Sequence, residues 1–132
     1  MVRGYWLERM GKNFSFEGLE VYQAARELVR DVYRLQQKFP KCEMYALGDQ
    51  IRRSASSVTS NIAEGSGRNS FKEKAYFIEI AYGSLMEAFS QLQIAQDLGY
   101  LTEQDIDTIR PQFISVAKML SGLKKHFEMV RG

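Results

Sequence analysis

The sequence predicts an all-α chain folded as an antiparallel, up-down-up-down four-helix bundle. Three observations predict it. Apolar residues recur at three- and four-residue intervals over four long segments, as one face of a helix requires. The linkers between those segments are short, which makes consecutive helices antiparallel neighbours. Only two prolines occur, Pro40 and Pro111, and few runs alternate as a strand would.

The first helix is expected from about Phe16 to Phe39, carried by Leu19, Tyr22, Ala25, Leu28, Val29, Val32, Leu35 and Phe39. Ser15 is placed to cap it, with Phe14 and Leu19 as a hydrophobic staple. Pro40 ends it by disfavouring helical geometry at the residue before. The second helix is expected from Met44 to Glu64, with Gly65 and Gly67 as its stop. The third opens at Ser70-Phe-Lys-Glu73, a capping box, and runs through Phe77, Ile80, Ala81, Leu85, Ala88, Phe89, Leu92 and Ala95 to Leu98, with Gly99 as the stop. The fourth opens at Thr102-Glu-Gln-Asp105, a weaker box, and reaches about Val130. Pro111 lies inside it and is expected to kink or split it.

The chain has 132 residues, enough for one domain with a real core. We expect a flexible arm over residues 1–12 and a bundle over 13–132, with Met10 as a second candidate start. A single cysteine, Cys42, rules out a disulfide within one chain and suits a reducing compartment. No signal peptide or membrane-length apolar run is visible, so a cytoplasmic protein with no membrane partner is expected. The net charge of +2 is too small to prove a nucleic-acid partner and does not exclude one.

Chemistry has little support. His126 is the only histidine, no cluster at metal-ligand spacing accompanies it, and Cys42 has no helper base nearby. No catalytic residue, metal or cofactor is expected, and the chain reads as a non-enzyme. The unusual feature is the stretch IRRSASSVTSNIAEGSGRNS at 51–70. Beside its apolar stripe of Ile51, Ala55, Val58 and Ile62 runs a polar one, Gln50, Ser54, Ser57, Asn61 and Glu64, about 100° around the helix and so bordering the core. The third helix carries a matching set in Gly83, Ser84, Glu87 and Gln91. A hairpin turning near Gly67 would bring Ser54 and Ser57 to Tyr82 or Ser84, and Gln50 and Arg53 to Glu87. Arg53 and Glu87 are then placed for a partly buried ion pair. This polar seam is expected to fix register within the bundle or between subunits.

Two features bear on anions. Arg26, Arg30, Arg34 and Lys38 recur at every fourth residue of the first helix and form one basic ridge, which Lys41 extends and Glu20, Glu27 and Asp31 dilute. The turn EGSGRNS, with Arg68 and Lys72 beside a helix N-terminus, can hold a phosphate or simply connect helices; it lacks P-loop spacing. Tyr22 and Tyr33 fall at or beside the apolar stripe and read as core or interface, leaving the ridge without a stacking platform. The last helix begins acidic, at Glu103, Asp105 and Asp107, and ends basic, at Lys118, Lys124, Lys125 and Arg131.

The motifs F-x-x-L-x-V-Y-Q-x-A-R-x-L at 16–28, Q-I-R-R-S-A-x-S-V-x-S-N-I-A-E-G-x-G-R-x-S at 50–70, K-E-x-x-x-F-I-x-I-A-x-G-S-x-x-E at 72–87 and L-G-Y-L at 98–101 resemble the 23S rRNA intervening-sequence protein family. The resemblance covers nearly everything from Phe14 on. That family is named for reading frames found inside inserts in some bacterial ribosomal RNA genes, and no firm activity belongs to it as a whole. The resemblance implies a four-helix bundle that assembles as a ring, a homopentamer. A related branch, the accessory proteins of diversity-generating retroelements, forms a ring that binds nucleic acid and a reverse transcriptase; it is more basic than this chain. Two functions therefore stand open: weak, sequence-independent binding of RNA or DNA through Arg26, Arg30, Arg34, Lys38, Arg68 and Lys72, and a scaffold that presents a surface to another protein.

Overall fold

The computed structural model describes residues 13–130; the arm expected over 1–12, Met10 and Arg131 lie outside them. The described residues form four α-helices and two short 3-10 turns, with no strand among them. Helix α1 is Glu20–Gln36, α2 is Leu47–Ser66, α3 is Phe71–Asp97 and α4 is Glu103–Val130. Helix α1 packs on α2 and α4, α2 on α3, and α3 on α4, closing the four-helix bundle.

The helix ends differ from the periodic stripes for local reasons. Gly18 is costly in a helix interior, and Ser15–Gly18 winds instead as a 3-10 turn. Ser15 therefore caps nothing; α1 starts at Glu20 with Leu19 before it and no side-chain cap. The expected staple gives way to Phe16 set edge-on against Tyr22, with ring centroids 4.8 Å apart. At the far end α1 stops at Gln36. The chain then tightens into three-residue bonds, Lys38 N–H to the Leu35 carbonyl and Phe39 N–H to Gln36, each 3.0 Å, and Phe39 tucks into the core against Tyr100.

The turn before α2 is organised by Glu43, which the sequence did not single out. One carboxylate oxygen accepts the Leu47 N–H at 3.2 Å, and the other accepts the Tyr100 hydroxyl at 2.7 Å. That bond, with burial, raises the Tyr100 pKa above the ordinary phenol value. Arg52 closes the same corner by donating to the Gln36 side chain and the Met44 carbonyl, both at 2.8 Å. Two glycines permit close approach: a Cβ at Gly48 would stand 2.8 Å from the Glu43 carbonyl oxygen, and one at Gly65 would stand 3.1 Å from Phe77 Cβ. Gly65 is thus a contact inside α2 rather than its stop. The helix ends one residue later, and Gly67 follows at φ −83°, outside the left-handed region. Gly99 does take that conformation, with φ +86°.

The two capping boxes exchange strength. Ser70 accepts from the Glu73 amide at 3.1 Å, without a return bond from Glu73 among the described contacts. Thr102 and Asp105 bond reciprocally, at 3.0 and 2.9 Å. Asp105 also accepts from Lys38 Nζ at 2.7 Å, tying the end of α1 to the start of α4. Those bonds, the Lys38 one first, hold the Asp105 carboxyl below the usual carboxylate range. A lowered folded pKa means stability that is present above the unfolded value near pH 3.9 and lost as the pH falls through the folded one. Asp105→Asn is expected to flatten the acid limb of the melting temperature against pH, read by thermal melts from roughly pH 5 to pH 2; an unchanged limb would place the acid-sensitive carboxylate elsewhere.

The core takes one stripe from each helix: Ala25, Leu28 and Val32; Ile51, Ala55, Val58 and Ile62; Ile78, Leu85 and Leu92; Ile106, Phe113, Val116 and Leu120. Pro111 does not split α4, which is continuous from Glu103 to Val130. Pro111 is solvent-exposed, so its ring fits outside the packed face, and one lost backbone bond is offset by the apolar stripe on both sides of it.

Candidate nucleic-acid interface

On α1, positions four apart lie on one ridge about 6 Å apart along the axis. Arg26, Arg30 and Arg34 are all exposed on such a ridge, which Tyr22 begins. Val29, Tyr33 and Gln37 form the next ridge, and Thr59 of α2 approaches from the other side. Together these residues line a groove of about 530 Å³ between α1 and α2. The Arg26 guanidinium sits over the Tyr22 ring, 5.9 Å from its centroid. Tyr33 is 39% exposed and lines the groove. The tyrosines therefore interleave with the arginines. Sequence spacing missed this because a residue flanking the apolar stripe can lean either into the core or along the surface.

The ridge is not uniformly available. Arg34 pairs with Asp31 at 2.9 Å, and Asp31 also accepts from Gln112 of α4. Lys38 is engaged by Asp105. Arg26 and Arg30 have no ion-pair partner among the described residues. The turn contributes less than its sequence suggested. Arg68 pairs with Glu64 and lies over the Phe77 ring, 4.5 Å from its centroid, so it braces the helix ends. Lys72 is exposed. Lys74 donates to the Ser66 carbonyl at 3.0 Å, capping the end of α2, and burial lowers its pKa.

The polar stripe divides into a seam and a solvent edge. Ser54 is buried and donates to Gln91 Oε1 at 2.6 Å. The hydroxyls of Ser57 and Ser84 share a bond of 2.8 Å. Half-buried Asn61 donates to the Ser57 carbonyl and hydroxyl at 2.8 and 2.9 Å. The expected Arg53–Glu87 pair is absent. Arg53 bonds Asp49 one turn back on its own helix at 2.8 Å, with its side chain 79% exposed. Glu87 and Gln50 also face solvent, as does Glu64 with its Arg68 partner. Ser57 keeps its expected partner in Ser84, but Ser54 reaches past it to Gln91, and Arg53 turns back to Asp49 instead of crossing to Glu87. Ser57→Ala removes the bridge between Ser84 and Asn61, and a loss of about 1 kcal/mol is expected in urea unfolding; no loss would mean that water replaces the seam at no cost.

A second concavity is apolar. Tyr82, Met86 and Phe89 of α3 and Ile114 and Ala117 of α4 line a groove of about 260 Å³, with Arg110 stacked over Phe89 at 5.0 Å. Among the described residues no group of histidine, cysteine, aspartate and glutamate could hold a metal ion, and no helix is long and apolar enough to cross a membrane.

The family model of the 23S rRNA-intervening sequence protein matches residues 17–122. The chain belongs to that family. The match spans all of α1, α2 and α3 and most of α4, and so includes the arginine–tyrosine groove and the serine seam. The chain is similar in fold to a crystal structure from Bacteroides thetaiotaomicron VPI-5482, described as a protein with unknown function from the S23 ribosomal protein family. The likeness has a TM-score of 0.73 at 21% identity and covers 80% of this chain and 98% of that one. No curated protein matches the chain.

Proposed function

We propose that the protein is a non-enzymatic nucleic-acid-binding bundle that works as a homo-oligomeric ring, of five subunits as the family resemblance implies. The observation that carries the binding reading is the groove in which Arg26, Arg30 and Arg34 stand beside Tyr22 and Tyr33. Guanidinium groups neutralise phosphates without reading sequence, and counterion release makes such binding salt-dependent. With so few free cations per subunit, each site is weak, on the order of 10⁻⁴ to 10⁻⁶ M at physiological salt. A ring repeats the site and raises the avidity. Fluorescence anisotropy with labelled RNA over a salt series tests the reading. A linear fall of log affinity with log salt is expected; no binding at low salt would reject it.

Ring assembly draws support from the apolar groove on α3 and α4, where Tyr82 is 37%, Met86 42% and Ile114 48% exposed, a patch that a second copy would cover. Light scattering is expected to give a mass several times that of the chain, and Met86→Glu to lower it. A monomer at micromolar concentration would end the claim. The alternative function is a scaffold for another protein, such as an accessory subunit of a nucleic-acid enzyme. The same Tyr and Arg types favour it, since both are enriched at protein interfaces. Binding that ignores salt and nucleic acid alike would select it.

A further inference from the structure

We infer that the α1–α2 groove takes single-stranded rather than duplex nucleic acid, with a base stacked on Tyr33 and the flanking phosphates on Arg26 and Arg30. This rests on the proposed binding function and adds the form of the ligand. Size is the first argument: a groove of about 530 Å³ has room for a nucleotide or two against Tyr33. The second is the chemistry of the lining. In a duplex the base faces are stacked on one another and unreachable, whereas an unpaired strand offers every base face to an aromatic ring.

Position is the third argument. Arg30 and Tyr33 are three residues apart and so adjacent on the helix surface, and Tyr33 is partly exposed in the groove wall. Tyr22 is the less available ring, held between Phe16 and the Arg26 guanidinium. The arginine ridge repeats about every 6 Å along α1, a spacing that suits successive phosphates of one strand and leaves the preference for an unpaired one to the Tyr33 ring. Thr59 forms the α2 wall, its hydroxyl turned to the Ser56 carbonyl at 2.8 Å and so not presented to a base, and stacking on Tyr33 is open to any base. The ligand class is therefore a single strand of any sequence.

The test uses the full chain, a labelled oligouridylate, an RNA duplex of the same length, and the variants Tyr33→Ala and Tyr33→Phe, read by anisotropy at low salt. Tighter binding of the single strand is expected, with Tyr33→Ala weakening it about tenfold and leaving the duplex unchanged. Tyr33→Phe keeps the ring face and is expected to bind as the unmodified protein does. Equal affinity for both nucleic acids, or a Tyr33→Ala variant that binds the single strand normally, would overturn the inference and leave nucleic-acid binding standing. No binding of either would remove both. Light scattering accompanies the variants: a change of assembled mass in Tyr33→Ala would assign Tyr33 to a subunit contact and overturn the inference.

Discussion

Reversing Arg26 and Arg30 to glutamate together is expected to abolish nucleic-acid binding at low salt while leaving the fold and the assembly intact. These are the two groove arginines free of an ion-pair partner among the described residues, so they carry the available charge. Each substitution removes a positive charge and adds a negative one beside the strand. A phosphate-contacting cation contributes about one unit to the salt slope. Losing two, and adding two repulsive charges, lowers affinity by roughly a hundredfold or more at low salt. Both side chains are exposed, which keeps the stability change within about 0.5 kcal/mol. Arg34→Glu alone is expected to do less, because Arg34 already shares its charge with Asp31. Circular dichroism and light scattering separate lost binding from lost structure. Full binding by the double variant would move the site off α1.

The largest effect on stability is expected from the middle of α3. Leu85 is completely buried, and its truncation to alanine leaves a cavity that close-packed neighbours fill only in part. A loss of about 3 kcal/mol is expected, which corresponds to a fall of roughly 10 °C in melting temperature for a domain of this size. Leu98 is the control. It closes the predicted apolar stripe of the same helix but is 54% exposed, beyond the helix end. Leu98→Ala is expected to change stability by no more than about 0.5 kcal/mol. Equal effects at both sites would mean that the core lies elsewhere than on the Leu85 side of α3.

That contrast shows what was legible in the sequence. The four helices were legible as periodic segments, and the buried faces most clearly in α1 and α2, where Ala25, Leu28, Val32, Ile51, Ala55, Val58 and Ile62 fall on the apolar spacing and are buried. Ends were less legible, because they depend on partners distant in sequence. Glu43 reaches Tyr100, and Lys38 reaches Asp105; no local rule links such pairs. The serine seam was readable as a polar stripe, and Ser57 does meet Ser84. Its other partners were not, because side-chain reach decides them: Ser54 meets Gln91, and Arg53 folds back on Asp49 and stays in solvent. The basic ridge was visible as an i, i+4 pattern. Its division into free and engaged members was not, nor was the packing of Tyr22 against Arg26 or the place of Tyr33 in the groove wall, since these depend on what α2 and α4 place beside α1.

The claim that α1 and α2 form the nucleic-acid site is tested most directly by photocrosslinking. RNA containing 4-thiouridine, irradiated with the full-length protein at low salt and digested, yields adducts that mass spectrometry assigns to residues. Adducts on Tyr33, with others on the α1 residues between Tyr22 and Gln37, are the predicted result. Adducts confined to the turn at Arg68 and Lys72, or to Lys118, Lys124 and Lys125 on α4, with none on α1, would contradict it.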